Sequence, residues 1–88
     1  MPEVVVYSSL LCPYCSMAKR LLSGKGVEYE EIKVDWNRKR RLEMMERTNG
    51  RHTVPQIFIG AHHVGGFDDL YALDQAGELD QLLTEVTP

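Results

Sequence analysis

The sequence predicts an α/β fold in which helices pack on both faces of one mixed four-stranded sheet. Short β-branched runs alternate with amphipathic helical patterns in the order β-α-β-α-β-β-α. The first β-α-β unit implies two parallel strands joined by a right-handed crossover, and the closing pair of strands implies an antiparallel hairpin. A chain of 88 residues is the length of one small domain, which we expect to span residues 1–88.

The first three elements follow from periodicity and from helix-stop signals. Residues 3–7 are mostly β-branched and predict a buried strand, followed by a loop. A helix is predicted over 13–23, with Met17, Leu21 and Leu22 on its apolar face and Gly24 after its last residue. Residues 28–34 predict the second strand, because bulky side chains recur along them.

The middle of the chain predicts a helix and then a hairpin. The helix is expected over 37–47, with Leu42 and Met45 facing inward. Two strands follow over 56–59 and 62–65, separated by a tight Gly-Ala turn.

Acidic residues mark the start of the next helix, which we expect over 68–75. A last short helix is expected over 78–85.

Composition narrows the classes of function. The formal net charge of −3 predicts no general attraction for nucleic acid or for anionic membranes. No apolar stretch approaches the roughly 20 residues that cross a bilayer, and the first three residues lack the basic start of a signal peptide. Two cysteines are too few for a disulfide scaffold. We therefore expect a cytoplasmic protein in a reducing compartment.

Those two cysteines form the motif Cys12-Pro13-Tyr14-Cys15 at a predicted helix start. Unpaired N–H groups and a partial positive charge at that end of a helix favour a thiolate. Cys12 lies at the exposed end and is expected to be the nucleophile, whereas Cys15 lies nearly one turn inward and is expected to resolve the mixed disulfide. The pair therefore predicts thiol–disulfide chemistry.

Two other interpretations of the pair are an inert core pair and half of a zinc site. A zinc site would need two further ligands from His52, His62 and His63. Their spacing from the cysteines matches no standard zinc pattern, so we expect no metal site.

Three motifs in order along the chain resemble those of dithiol glutaredoxins. They are Cys12-Pro13-Tyr14-Cys15, Thr53-Val54-Pro55 and Gly65-Gly66-Phe67-Asp68-Asp69-Leu70. The short length resembles the compact bacterial class of that family. The resemblance covers nearly the whole chain and implies a thioredoxin fold, glutathione as the reducing co-substrate and no tightly bound cofactor.

The resemblance also implies a glutathione site on the second and third motifs. Tyr14 and Thr53 would line it, and a cis Val54–Pro55 bond would leave the Val54 backbone free to pair with an extended substrate. Without the resemblance, an ordinary trans turn proline is the better interpretation of Pro55.

The start of the third predicted helix would bind the γ-glutamyl end of glutathione. Backbone N–H groups near Gly66 and Phe67 suit a carboxylate, and the resemblance assigns the ammonium group to Asp68. A simple N-cap role for Asp68 is equally consistent with the sequence.

A basic residue is expected at the glycyl carboxylate of glutathione. The resemblance points to Arg41 within the basic run 38–41, and an apparent extra residue in the following loop makes Arg38 the alternative. Many relatives have a lysine three residues before the first cysteine, whereas this chain has Ser9, which removes one electrostatic aid to the thiolate and to glutathione.

The predicted function is a glutathione-dependent thiol–disulfide oxidoreductase that acts on disulfide-containing or glutathionylated proteins, as a monomer. One alternative is a glutaredoxin-like electron donor that thioredoxin reductase reduces directly. The other is an iron–sulfur cluster carrier. Pro13 counts against the carrier, because family members that hold a cluster usually lack proline at this position.

Overall fold

Strand β1 (Val4–Ser8) lies inside the sheet, and all five of its residues are buried. The computed structural model describes residues 3–84. In it, β1 pairs in parallel with β2 (Glu30–Lys33) and antiparallel with β3 (Gln56–Ile59). Strand β4 (His62–Gly65) pairs antiparallel with β3, which gives the order β2-β1-β3-β4. This is the mixed four-stranded sheet that the sequence predicts.

Four helices pack on the sheet. Helices α1 (Pro13–Gly24), α3 (Phe67–Gln75) and α4 (Leu79–Thr84) cover one face, and α2 (Arg38–Arg47) covers the other. The predicted arrangement of helices on both faces is thereby confirmed. The prediction that residues 1–88 form one domain stays a prediction.

Two apolar cores result from the alternation of side chains along the strands. Val4 and Val6 of β1 point into the larger core, while Val5 and Tyr7 point into the smaller one. The other buried members of the larger core are Ala18, Leu22, Val27, Ile57, Ile59, Leu70, Leu79 and Leu83. The other buried members of the smaller core are Val34, Met44 and Phe58.

Most element boundaries agree with the predicted ones within two residues. Strand β1 includes Ser8, which was expected in a loop, because Ser8 pairs with Lys33 of β2. Helix α3 begins one residue earlier than expected, and the predicted end of the last helix, Glu85, lies outside the described residues.

Each of two predicted helix faces is wrong at one residue, Leu42 of α2 and Met17 of α1. Leu21 and Leu22 of the predicted α1 face do pack in the larger core. Leu42 is 51% exposed, and the side chain that α2 buries completely is Met44. Met45 is only partly buried, and Met17 of α1 is 44% exposed. The run Leu-Glu-Met-Met fits two helical phases, and contact with Tyr7 and the rest of the smaller core selects the one that buries Met44.

Candidate active site

The cysteine pair lies where α1 begins. Cys12 is the N-cap residue of α1, and its Sγ accepts a hydrogen bond from the Cys15 N–H at 3.1 Å. Pro13 occupies the first helical position, where its missing N–H leaves no hydrogen bond unmade. The two sulfurs are joined as a disulfide, with the Cα atoms 5.2 Å apart.

The two cysteines differ in exposure in the way the sequence predicts. Cys12 is partly exposed, whereas Cys15 is only 1% exposed. A substrate sulfur can therefore approach Cys12 but not Cys15, which packs beneath the helix start.

The second motif meets the first at this point. The Val54–Pro55 peptide bond is cis, as the resemblance implies. The Val54 carbonyl oxygen lies 3.8 Å from the Cys12 Sγ. Pro55 is buried, while Thr53 is exposed. Residues far apart in the sequence thus flank the same sulfur.

A cleft of about 220 Å³ opens beside this contact, and we call it the α3 cleft because the first residues of α3 form one wall. The residues that line it are Tyr14, Arg51, Thr53, Val54, Pro55, Gly66, Phe67, Asp68 and Asp69. It therefore brings together seven of the eight residues predicted for the glutathione site.

The eighth predicted residue, Arg41, does not line the α3 cleft. Its guanidinium donates to the His52 carbonyl oxygen at 3.4 Å. Arg38, the alternative to Arg41, is the exposed first residue of α2 and does not line the cleft either. The structure places Arg51 in the cleft wall instead.

Sequence reasoning missed Arg51 and Asp69. Their side chains approach to 4.0 Å, and both are about half exposed, so the pair is well solvated and contributes little to stability. A basic residue two positions before Thr53 was the available signal for Arg51. Asp69 belongs to the third motif, where the sequence predicts only that it lies at the helix start.

The N-terminus of α3 is capped in a different way from the simple N-cap considered for Asp68. Gly66 is the N-cap residue, and the Asp69 carboxylate accepts a hydrogen bond from the Gly66 N–H at 3.0 Å. Asp68 is the second helical residue and is exposed. The N-cap interpretation of Asp68 is therefore wrong, and its carboxylate is free to face the cleft.

Gly65 allows the Asp69 carboxylate to lie close to the backbone at the end of β4. Its φ of +116° is one that other residues adopt only with strain, and a Cβ at this position would collide with the Asp69 carboxylate. Glycine at position 65 thus lets β4 turn directly into the capped start of α3.

Buried polar groups hold the wall of the α3 cleft that contains Thr53. The Gln56 amide is buried and donates to the Thr53 carbonyl oxygen at 3.0 Å and to its Oγ1 at 3.2 Å. The Gln56 Oε1 lies 2.7 Å from the His63 Nε2. Since an amide oxygen only accepts, His63 must carry its proton on Nε2. Burial, and then the nearby Arg51 guanidinium, lower the pKa of His63.

The aromatic rings of Tyr14 and Phe67 also line the α3 cleft. The Tyr14 and Phe67 ring centroids lie 6.4 Å apart, and Phe67 lies 5.9 Å from Tyr71. These contacts connect the start of α1 to α3 and hold Tyr14 beside the cysteine pair.

Comparison with known proteins identifies this arrangement. The glutaredoxin family model matches residues 4–64. The chain is 57% identical over 83 residues to glutaredoxin 3 of Escherichia coli strain K12, covering 94% of this chain and 99% of that protein. This chain belongs to the glutaredoxin family.

Solved glutaredoxins have the same fold. The solution structure of the Brucella melitensis glutaredoxin superposes with a TM-score of 0.82 at 49% identity, covering 99% of this chain and 96% of that one. A crystal structure of the buckwheat glutaredoxin–glutathione complex superposes with a TM-score of 0.85 at 32% identity, covering 94% and 77% of the two chains. The fold is the thioredoxin fold, and the paired Cys12 and Cys15 make this chain a dithiol glutaredoxin, a thiol–disulfide oxidoreductase.

Among residues 3–84, no group of three or more His, Cys, Asp or Glu side chains is placed to hold a metal ion. Over the same residues, no helix is both long enough and apolar enough to cross a membrane.

Proposed function

We propose that this glutaredoxin uses glutathione as its reductant and that the α3 cleft binds it. The observation that supports this most directly is the position of Cys12, whose Sγ lies beside Val54 in the cleft wall while Cys15 is shielded from solvent. A tripeptide bound along Thr53 and Val54 would have its own sulfur next to Cys12.

Glutathione fits the charges of the cleft. Its γ-glutamyl carboxylate suits the backbone N–H groups at the start of α3, next to Arg51. The ammonium group of the same residue suits the exposed carboxylate of Asp68. Arg41, held against the neighbouring His52 carbonyl, stays our candidate for the glycyl carboxylate.

The monothiol reaction uses Cys12 alone. Its thiolate attacks the glutathionyl sulfur of a mixed disulfide, and the protein thiolate leaves and takes up a proton. The thiolate of a second glutathione then attacks the sulfur of the bound glutathione, which forms oxidised glutathione and restores the Cys12 thiolate.

The dithiol reaction also uses Cys15. Cys12 attacks a protein disulfide and forms a mixed disulfide with one of its sulfurs. Cys15 then attacks the Cys12 sulfur and releases the second protein thiol, which leaves the Cys12–Cys15 disulfide. Two glutathiones reduce that disulfide in two successive exchanges.

Replacing each cysteine by serine tests these roles. Cys15→Ser should retain reduction of glutathione mixed disulfides and lose reduction of protein disulfides, whereas the control Cys12→Ser should lose both. Each activity is measured by coupling glutathione oxidation to glutathione reductase. Loss of both activities in Cys15→Ser would show that the assigned roles are wrong.

The proposal also covers the partners, the compartment and the oligomeric state of this glutaredoxin. We infer that the partners are disulfide-containing or glutathionylated proteins, and that the glutaredoxin acts as a cytoplasmic monomer. The 32% identical buckwheat protein in complex with glutathione supports the choice of reductant.

A further inference from the structure

Two loops meet near Cys12, and none of their residues lines the α3 cleft. They follow β1 and β2, which are adjacent and parallel, so both loops emerge at the same edge of the sheet. The Leu10 N–H donates to the Asp35 Oδ2 at 2.6 Å, which ties the loops together. Trp36 follows Asp35 directly, and Cys12 lies two residues after Leu10.

These loops expose large apolar side chains. Leu10 is 68% exposed, Leu11 is 92% exposed and Trp36 is completely exposed. Single exposed apolar residues are normal on a protein surface. Three of them on two joined loops, next to a reactive sulfur, form an apolar patch that we call the Trp36 surface.

The backbone at Trp36 is strained. Its φ is +56°, in the left-handed region where a residue with a side chain costs roughly 1–2 kcal/mol and glycine costs little. Because the Trp36 side chain is fully exposed, it recovers none of that cost by packing within the described chain. The fold alone therefore gives no reason for tryptophan at position 36.

The charged residues that follow Trp36 are also unfavourable at the start of a helix. The first turn of α2 contains Arg38, Lys39 and Arg40 and no acidic residue, although that end of a helix favours negative charge. Arg40 pairs with Glu43 at 3.1 Å. Between residues 3 and 84, no ion pair involves Arg38 or Lys39.

A tryptophan with left-handed backbone and a basic helix start thus lie next to each other. Such departures from local preference are most common at functional sites. We propose that the Trp36 surface, with Lys39 at its border, docks protein substrates of this glutaredoxin. The fitting partner is a protein segment with an apolar side chain and an acidic side chain close to the reacting cysteine. Tryptophan is a frequent hot-spot residue at interfaces, and an exposed lysine attracts acidic partners.

The position of the surface supports this choice of partner. Leu11 directly precedes Cys12, and the Leu10–Asp35 hydrogen bond joins the loop of Trp36 to it, so residues that flank a protein sulfur at Cys12 pass near these loops. None of the residues of these loops lines the α3 cleft, so the surface is separate from the proposed glutathione site. The inference rests on the proposed action on protein substrates and adds which of them are preferred.

Synthetic peptides test the preference. Each has a single glutathionylated cysteine, flanked in one peptide by leucine and glutamate and in the other by serine and lysine. The wild-type protein should reduce the first peptide with a kcat/KM roughly fivefold higher or more. Trp36→Gly, which also relieves the left-handed strain, should lose most of this preference through a higher KM, and Lys39→Gln should lose part of it.

Three controls make the result decisive. Leu42→Ala removes an exposed apolar residue of α2 outside the surface and should keep the full preference. Thermal unfolding should show that Trp36→Gly is at least as stable as the wild type. Trp36→Gly should reduce a small mixed disulfide of glutathione and 2-mercaptoethanol at the wild-type rate. If the wild-type protein itself does not reduce this small substrate, the proposed function is contradicted instead.

The proposal is overturned if Trp36→Gly keeps the peptide preference or slows both peptides and the small substrate equally. It is also overturned if sedimentation shows a wild-type dimer that Trp36→Gly converts to a monomer. In that case the surface joins two copies of this chain.

Discussion

The Val54 carbonyl oxygen lies 3.8 Å from the Cys12 Sγ, so two opposing dipoles act on the reactive sulfur. The Cys15 N–H, at 3.1 Å, favours a negative charge on that sulfur, whereas the carbonyl disfavours one. The N–H is closer and belongs to the start of α1, whose other N–H groups act in the same direction. The helix start therefore favours negative charge on this sulfur once the disulfide is reduced, and the Val54 carbonyl oxygen occupies one side of it.

Arg51→Gln should raise the KM for glutathione mixed disulfides about threefold to tenfold, with a smaller change in kcat. Arg51 is the arginine that lines the α3 cleft. A charged hydrogen-bonding partner of a carboxylate contributes on the order of 1 kcal/mol when it is partly exposed. The effect should shrink at high salt, because Arg51 is about half exposed. Steady-state kinetics at two ionic strengths measure both quantities.

Arg38→Gln is the matched control, since Arg38 is exposed and lies outside the cleft. It should leave the KM near the wild-type value. A larger rise in KM for Arg38→Gln than for Arg51→Gln would show that Arg38, and not Arg51, meets a carboxylate of glutathione.

The fold could be predicted from the sequence because its local signals agree with one another. Strands β3 and β4 were placed at their observed bounds, since a glycine turn separates two short runs. Helix faces were less predictable. Leu42 and Met44 are both apolar, and only the position of β1 beneath α2 decides that Met44 is buried.

The site was predictable where the resemblance supplies a motif and less so elsewhere. Tyr14, the Thr53-Val54-Pro55 segment and the start of α3 do meet at the α3 cleft. Arg51 was missed because its place in the wall depends on how the loop after α2 returns to β3. Asp69 was missed as the capping group because its reach to the Gly66 N–H depends on the turn at Gly65.

Gly65→Ala should destabilise the protein by about 1–3 kcal/mol, since alanine at a φ of +116° is strained and its Cβ would displace the Asp69 carboxylate. Loss of that cap should also weaken substrate binding at the start of α3. Urea unfolding and the KM for a glutathione mixed disulfide measure the two effects.

Gly24→Ala separates strain from the mere addition of a methyl group. Gly24 is the last residue of α1, and a Cβ there would have no neighbour within 4 Å. This variant should be neutral or up to about 1 kcal/mol more stable, because alanine has the higher helix propensity. Equal destabilisation of both variants would refute the collision at Gly65.

Acid should weaken the protein through Glu43. The buried Tyr7 hydroxyl donates to the Glu43 Oε2 at 2.6 Å, and this hydrogen bond, with help from Arg40, lowers the pKa of Glu43 below its ordinary 4.5. A carboxyl whose folded pKa is lowered stabilises the fold above its ordinary pKa. That contribution is lost as the pH falls through the lower, folded value.

Glu43→Gln should therefore cost at most about 1 kcal/mol near neutral pH, because solvent screens the partly exposed carboxylate, and the cost should shrink as the pH falls below 4.5 through the lowered pKa of Glu43. Tyr7→Phe should reduce the same acid dependence, because it removes the main cause of the pKa shift. Glu46→Gln changes an exposed glutamate of the same helix and controls for the loss of one charge. Urea unfolding from pH 3 to pH 7 measures the free energy of unfolding of each variant. If the loss in Glu43→Gln is independent of pH, packing, and not the ionised carboxylate, stabilises the contact with Tyr7.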